Sequence, residues 1–122
     1  MKNLMTKHFS RWANKQKIPK KELSNSLNEV QEGNFEANLG GNLYKKRIHF
    51  QGQGKSGGGR TIICYKKNDR AIFIHGFAKN EKSNLSKKEL TAFKELSKIL
   101  LKLSNKEIAI AIKNGDLLEV KS

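Results

Sequence analysis

Three β-branched and aromatic segments occupy the middle of the chain: LYKKRIHFQ (43–51), RTIICYK (60–66) and AIFIHGFA (71–78). The glycine-rich run GQGKSGGG (52–59) separates the first two segments, and the polar turn KNDR (67–70) separates the last two. This pattern predicts three strands joined by two antiparallel hairpins. We therefore expect a small antiparallel β-sheet at the centre of an α+β domain.

The register of the three strands follows if each hairpin is centred on its turn. One face of the sheet would then carry three rows of side chains: Gln51–Arg60–Phe77, His49–Ile62–His75 and Arg47–Cys64–Phe73. The other face would carry an apolar set made of Ile48, Phe50, Thr61, Ile63, Tyr65, Ile72 and Ile74. Because such a set must be covered, we expect one helix-covered face and one half-polar, basic face.

Helical periodicity flanks the sheet on both sides. An apolar stripe from Met5 predicts one helix, and Pro19 begins a second helix that stops at Gly33. Two capping boxes, Ser86–Glu89 and Ser104–Glu107, predict the starts of C-terminal helices. We therefore expect one domain (1–122) with a helical pair (1–33), an antiparallel sheet (43–78) and C-terminal helices (86–114). The two N-terminal helices would pack on one face of the sheet.

The charge of the chain is concentrated in its central third. The whole sequence has a net charge of +14, with 25 Lys and Arg against 11 Asp and Glu. Residues 43–82 contain ten basic side chains and only two acidic ones, Asp69 and Glu81. A local excess of this kind is typical of a surface that meets a polyanion such as nucleic acid, although a solvated basic face is an equally good reading.

Several classes of protein are excluded or disfavoured by the sequence. No stretch approaches the roughly 20 apolar residues of a membrane span, and the start of the chain lacks the apolar run of a signal peptide. The single cysteine, Cys64, leaves no intrachain disulfide or cysteine zinc cage. Gly54-Lys55-Ser56 lacks the earlier glycine and the following helix of a phosphate-binding loop. We expect a cytoplasmic protein without cofactor or metal.

Four pieces of the chain together resemble the RelE/ParE superfamily of bacterial toxins, and in particular its HigB-like branch. They are LYKKRI (43–48), the run GKSGGGR (54–60), AKNEKS (78–83) and the closing helix. The resemblance implies a small curved antiparallel sheet with two N-terminal helices and a C-terminal helix. It also implies a ribosome-dependent endoribonuclease that cuts mRNA, with no metal or cofactor. The partners would be mRNA, the ribosome and a cognate antitoxin, usually a helix-turn-helix protein from an adjacent gene.

The resemblance also assigns roles to individual residues. Lys45 and Arg47 match basic positions that help to activate the attacking hydroxyl, and Arg60 matches the arginine that stabilises the scissile phosphate. Residues 79–83 match the basic segment after the third strand. Asn80 replaces an arginine of many relatives. Ser86 stands where they have a tyrosine with a proposed acid role, which leaves Lys55, Lys79, His75 and Glu81 as possible substitutes.

The candidate site residues form two groups. The catalytic candidates are Arg60, Lys79, Lys55, Arg47, His75 and Glu81. The RNA-binding candidates are Lys45, Lys46, His49, Asn80 and Lys82. Two other functions remain open at this point: a ParE-like toxin that inhibits DNA gyrase without catalysis, and a non-catalytic nucleic-acid-binding domain.

Overall fold

The computed structural model describes residues 1–50, 58–82 and 84–121. The candidate Lys55, the predicted row position Gln51 and Ser83 lie outside these ranges. In chain order, the described elements are β1 (Lys2–Thr6), α1 (Lys7–Lys15), α2 (Lys20–Gln31), β2 (Ala37–Gly40), β3 (Leu43–Ile48), β4 (Gly59–Lys66), β5 (Arg70–Ala78), α3 (Lys87–Lys102), α4 (Asn105–Lys113) and β6 (Leu117–Glu119).

The strands form one six-stranded sheet in the order β2-β3-β4-β5-β1-β6. All of its neighbouring pairs are antiparallel except β1 and β5, which run parallel. The predicted α+β class and the antiparallel pairing of the three central strands are therefore confirmed, and three further strands extend the sheet.

The helix boundaries follow the capping signals in the sequence. At the start of α3, the Ser86 side chain accepts from the Glu89 backbone N–H and the Glu89 carboxylate accepts from the Ser86 N–H. Ser104 and Glu107 make the same reciprocal pair at the start of α4. The hydroxyl of Thr6, which was not predicted as a cap, accepts from a backbone N–H in the first turn of α1. Both predicted capping boxes are confirmed.

The predicted helix from Met5 was wrong at its beginning, because residues 2–6 form strand β1. This strand lies between β5 and β6, with Met5 opposite Phe73 on one side and opposite Leu118 on the other. The helix α1 begins only at Lys7, after Thr6 has capped it. The segment between α2 and β3, for which no strand was predicted, also contains a short strand, β2. Strand β1 depends on a partner far along the chain, whereas β2 pairs with the strand that follows it.

The predicted register of β4 and β5 is correct at one end and wrong at the other. Arg60 lies opposite Phe77 and Ile62 lies opposite His75, as predicted. An irregularity after Ile62 then shifts the ladder, so that the partner of Cys64 is Ile72. A bulge leaves one extra residue on one strand and changes which side chains share a face. Ile72 and Ile74 consequently join the core of the face opposite to the predicted one.

The predicted register of β3 and β4 was wrong by four residues. Arg47 lies opposite Arg60, and Lys45 lies opposite Ile62. The prediction centred the turn within 52–59, whereas β3 already ends at Ile48. Because side chains alternate with a period of two, an even shift keeps each residue on its predicted face. Arg47 and Arg60 therefore share a face and are direct neighbours.

A hydrophobic core covers each face of the sheet. Helices α1 and α2 pack on one face, over a core that includes Phe9, Leu27, Ile63 and Phe73. Helices α3 and α4 pack on the other face, over a core that includes Leu4, Ile62, Cys64, Ile72 and Leu101. The expectation of a single helix-covered face was therefore wrong. The candidate site lies on the second face, at the end of the strands beyond the α3 core.

Candidate nucleic-acid interface

Three basic side chains converge on one carboxylate, that of Glu36. The Nε atom of Arg60 donates to Glu36 Oε1 at 3.0 Å, and Lys45 Nζ lies 3.2 Å from the same oxygen. Arg47 Nη2 lies 3.7 Å from Glu36 Oε2. We call Lys45, Arg47 and Arg60 the cation cluster. It shows that this part of the sheet holds a single anionic group between three positive charges.

The strand register explains why the cation cluster forms. Arg47 and Arg60 are paired residues on β3 and β4, and Lys45 is two residues from Arg47 on the same face of β3. Glu36 is brought alongside by the backbone, since its N–H donates to the carbonyl of Lys45 at 2.8 Å. Lys46 is the intervening residue, and its Nζ lies 3.7 Å from Glu29 Oε1 of α2. Lys46 therefore faces away from the cluster and does not join it.

The basic neighbours of Glu36 keep its carboxyl group ionised. Burial raises the pKa of this carboxyl, but the hydrogen bonds and charges of Arg60 and Lys45 outweigh burial and lower the net pKa below its ordinary value. Glu36 is accordingly ionised at neutral pH. Against three cations it leaves the cluster with a net positive charge of two.

The two arginines of the cation cluster differ in exposure. The side chain of Arg60 is only 6% exposed, and its Nη1 donates to the carbonyl of Gly59 at 3.2 Å. The side chain of Arg47 is 51% exposed. Arg60 is thus a fixed guanidinium with a defined orientation, whereas Arg47 is available to an incoming phosphate.

Lys45 also connects the cation cluster to the segment that follows β5. Its Nζ donates to Asn84 Oδ1 at 2.8 Å. Nearby, Lys82 forms an ion pair with Glu89 of α3, and its Nζ lies 6.0 Å from the ring centroid of Phe77. The hydrogen bonds from Lys82 and from the Ser86 backbone N–H lower the pKa of Glu89 to about 2. The side chain of Lys82 is therefore placed beside the strand that carries His75.

His75 lies on the same face as the cation cluster, in the row of Ile62 and Lys45. Its ring contacts Phe93 of α3, with centroids 4.8 Å apart, and its Nδ1 lies 3.0 Å from Nε2 of His8. Burial lowers the pKa of His75, and the charges of His8 and Lys82 lower it further, against an opposing effect of Glu89. His75 is a neutral imidazole at pH 7 that is partly enclosed.

The other candidates lie at the margin of this surface. Lys79, Asn80 and Glu81 are exposed residues of the turn after β5, and the Lys79 N–H donates to the carbonyl of Gly58 at 3.2 Å. His49 is exposed just after β3. The structure thus brings together Lys45, Arg47, Arg60, His75 and Lys82, and it places Lys79 and its neighbours at the adjoining ends of the strands.

Three residues of the site were not singled out by sequence reasoning: Glu36, Asn84 and His8. Glu36 and Asn84 lie in irregular segments, where a single polar residue produces no periodic signal. His8 was hidden inside the predicted first helix. One feature of the sequence pointed indirectly to a residue such as Glu36. The central strands carry a large excess of positive charge, and nearby carboxylates reduce the repulsion between these charges in the folded protein.

Metal and thiol chemistry find no support in the described parts of the chain. No group of three or more His, Cys, Asp or Glu side chains in these ranges could hold a metal ion. Cys64 is buried, and burial raises the pKa of its thiol to about 12. A thiol in this state is protonated at neutral pH, and Cys64 packs in the core of the second face.

Comparison with protein families identifies the chain. It matches the family model described as the RelE toxin of the RelE/RelB toxin–antitoxin system over residues 1–120. A search of curated proteins found no match. Across the described residues, no helix combines the length and apolar character of a membrane span. Because the family match covers nearly the whole sequence, the chain belongs to the RelE toxin family of toxin–antitoxin systems.

Proposed function

We propose that this protein is a ribosome-dependent mRNA endoribonuclease of the HigB-like branch, and that it inhibits translation without a metal ion. In this reaction the 2′-oxygen of a ribose attacks the adjacent phosphorus. The bond from phosphorus to the 5′-oxygen breaks, leaving a 2′,3′-cyclic phosphate and a 5′-hydroxyl end. The reaction needs a proton acceptor, cations around the phosphate and a proton donor for the leaving oxygen.

The observation that carries this proposal is the convergence of the cation cluster on Glu36. Arg60 and Lys45 approach one carboxylate oxygen to 3.0 and 3.2 Å, and Arg47 approaches the other to 3.7 Å. Carboxylate and phosphate oxygens accept the same charge-assisted hydrogen bonds. The cluster keeps a net positive charge of two after it has paired with Glu36, so a phosphate is attracted to the same side chains.

The proposed roles follow from exposure and position. Arg60 is fixed in orientation and stabilises the negative charge that develops on the phosphate, while the exposed Arg47 binds the incoming backbone. Lys45 favours ionisation of the attacking hydroxyl through its positive charge. Water accepts the proton of that hydroxyl and protonates the leaving 5′-oxygen. The ring N–H of the neutral His75 donates a hydrogen bond to that leaving oxygen, because His75 lies on the face of the cluster, in the row of Lys45. Lys82 adds a further positive charge along the RNA path.

The partners are proposed from the family. A RelE toxin implies an antitoxin, and we propose a helix-turn-helix antitoxin from an adjacent gene, with mRNA and the ribosome as the targets. We place the reaction in the cytoplasm, where translating ribosomes are present. Neutralisation would require the antitoxin to cover or to alter the basic surface.

The direct test is the cleavage of a short mRNA by the purified protein, with and without bound ribosomes. Arg47→Ala is the informative variant, because the Arg47 side chain is 51% exposed and its loss leaves the Arg60–Glu36 contact in place. Lys46→Gln is its matched control, because it removes one positive charge from the neighbouring residue, on the other face of β3.

We expect ribosome-bound mRNA to be cut with 5′-hydroxyl ends, at a rate that falls about 10²-fold in Arg47→Ala, of the order seen when one charge-stabilising group is removed. Lys46→Gln should cut like the wild type. Growth arrest in cells with no cleavage of mRNA would contradict the proposal and would favour a gyrase-directed toxin. Binding to RNA without cleavage would favour a nucleic-acid-binding domain.

A further inference from the structure

His8 and His75 form a hydrogen-bonded imidazole pair between α1 and β5. Nε2 of His8 lies 3.0 Å from Nδ1 of His75, and the two ring planes are 3° apart. The ring centroids are 5.2 Å apart, much farther than the bonded nitrogens. The rings therefore meet edge to edge, which is the geometry of an N–H···N hydrogen bond rather than of face-to-face stacking.

This bond restricts where protons can reside on the two rings. One of the facing nitrogens must donate and the other must accept, so both rings cannot be doubly protonated while the bond exists. If His8 donates, Nδ1 of His75 is the acceptor, and a neutral His75 then carries its proton on Nε2. If a neutral His75 donates instead, its Nε2 carries no proton. The partner thus decides whether Nε2 of the neutral His75 donates or accepts a hydrogen bond.

We propose that His8 is a positioning residue that donates to His75 and so keeps the proton of the neutral His75 ring on Nε2. This inference rests on the proposed function, because a hydrogen bond from the neutral ring to the leaving 5′-oxygen needs a proton on Nε2. It answers the question left by Ser86, which stands where many relatives have a tyrosine. No other described residue contacts the Nδ1 atom of His75 through a hydrogen bond.

The surroundings of the pair favour a single, neutral arrangement. The centroid of the His75 ring lies 4.8 Å from the ring centroid of Phe93 of α3 and 6.2 Å from that of Phe77 on its own strand. The titratable groups around it come from every neighbouring element: Lys7 and His8 of α1, Lys45 in its row on β3, Lys82 after β5, Glu89 of α3 and Asp116 before β6. Two aromatic contacts limit rotation of the ring and keep Nδ1 directed at His8.

The position of His75 fits its proposed partnership with the cation cluster. His75 lies opposite Ile62, and the next row on the same face contains Arg60 and Phe77. Diagonal neighbours on antiparallel strands are about 7–8 Å apart between their Cα atoms. The backbones of Arg60 and His75 are therefore close enough for the two side chains to approach one phosphate.

The test is nitrogen-15 NMR of the histidine rings in the purified protein, which needs no enzymatic activity. The chain has three histidines, so His49, exposed and outside the pair, provides a reference within the same sample. We expect Nδ1 of His75 to show the shift of an unprotonated nitrogen, and Nε2 that of a protonated one, above the titration of the ring. The His8→Phe variant should lose this preference, and His8→Gln, which still offers an N–H donor, should retain it.

The second readout is the rate of mRNA cleavage on the ribosome. We expect about a 10-fold loss of rate in His8→Phe, a part of the effect of removing one hydrogen-bond donor to a developing oxyanion, with most of the rate recovered in His8→Gln. Unchanged nitrogen shifts of His75 in His8→Phe would overturn the inference. So would altered shifts together with wild-type cleavage, which would leave the proposed function intact. A wild-type protein that does not cleave mRNA would overturn both, whatever the NMR result.

Discussion

Replacing Glu36 by glutamine is the sharpest perturbation of the cation cluster. Glutamine keeps the shape of the side chain and one oxygen acceptor but removes the negative charge that faces Lys45, Arg47 and Arg60. At the 3.0 Å contact with Arg60 the charge is largely shielded from water, since the Arg60 side chain is 6% exposed and that of Glu36 is 27% exposed. The variant therefore leaves three neighbouring cations without a counter-charge.

The magnitude can be worked out from these contacts. Two unit charges about 4 Å apart interact by about 4 kcal/mol at an effective dielectric constant of about 20. Solvent screening and the acceptor that glutamine retains reduce this value, so we expect a loss of about 1–2 kcal/mol in the free energy of unfolding at pH 7. The matched control is Glu29→Gln. Its partner Lys46 is 3.7 Å away and Glu29 itself is 46% exposed, so it should cost less than about 0.5 kcal/mol.

The stabilisation that Glu36 contributes to the fold depends on pH. The folded-state pKa of Glu36 lies below its ordinary value. A carboxyl of this kind stabilises the fold above its unfolded-state pKa, and the stabilisation is lost as the pH falls through the folded-state pKa. The free energies of unfolding of the wild type and of Glu36→Gln, measured by urea denaturation, should therefore differ at pH 7. They should converge in acid, as the pH falls through the folded-state pKa of Glu36.

Added anions provide a second assay of the same variant. With Glu36 neutral, the cation cluster has one more uncompensated charge, so inorganic phosphate should raise the melting temperature of Glu36→Gln more than that of the wild type. Equal stability of the two proteins at pH 7, together with an equal response to phosphate, would refute the reasoning that Glu36 occupies an anion position.

Three further predictions concern the scaffold. Thr6→Ala removes the hydroxyl that caps the Phe9 N–H and should lower the free energy of unfolding by about 1 kcal/mol, with Thr6→Ser restoring it, as measured by urea denaturation. Gly76→Ala should destabilise by about 1–3 kcal/mol or more, because the added Cβ would lie 2.3 Å from the ring of Trp12; a wild-type melting temperature would contradict the packing described here. Cys64 should react with a thiol reagent only as fast as the protein unfolds, since it is buried with a pKa of about 12, and rapid labelling of the native protein would contradict its placement in the core.

Features specified by neighbouring residues could be predicted from the sequence. The capping boxes at Ser86 and Ser104 are contained within four residues each, and the structure has both. The strands β4 and β5 are joined by a short turn, so their antiparallel pairing as a hairpin was also predictable. In these places the sequence pattern and the final hydrogen bonds involve the same short segments.

Features that depend on distant partners could not be predicted in this way. Strand β1 exists because Lys2 pairs with Arg70, far along the chain, and nothing within residues 1–9 distinguishes that strand from the first turn of a helix. The register error at Arg47 and the bulge after Ile62 have the same origin, since turn length and packing set them together. The bulge alone moved Ile72 and Ile74 to the other core.

The candidate site shows the same division. Lys45, Arg47 and Arg60 were predicted from their motif and come together in the structure. Their counter-charge Glu36 was missed, because its position beside Lys45 depends on backbone pairing between the segment at β2 and strand β3. His8 was missed for a similar reason, since its contact with His75 joins two elements that are distant in sequence.

The most direct test of the central claim is primer extension on cellular mRNA after brief induction of the protein. The wild type, Arg47→Ala and the control Lys46→Gln should be compared at equal protein levels. We expect codon-phased cuts with the wild type and Lys46→Gln, and their loss with a folded Arg47→Ala. Intact mRNA during growth arrest, or unchanged cutting by Arg47→Ala, would contradict a nuclease built on the cation cluster.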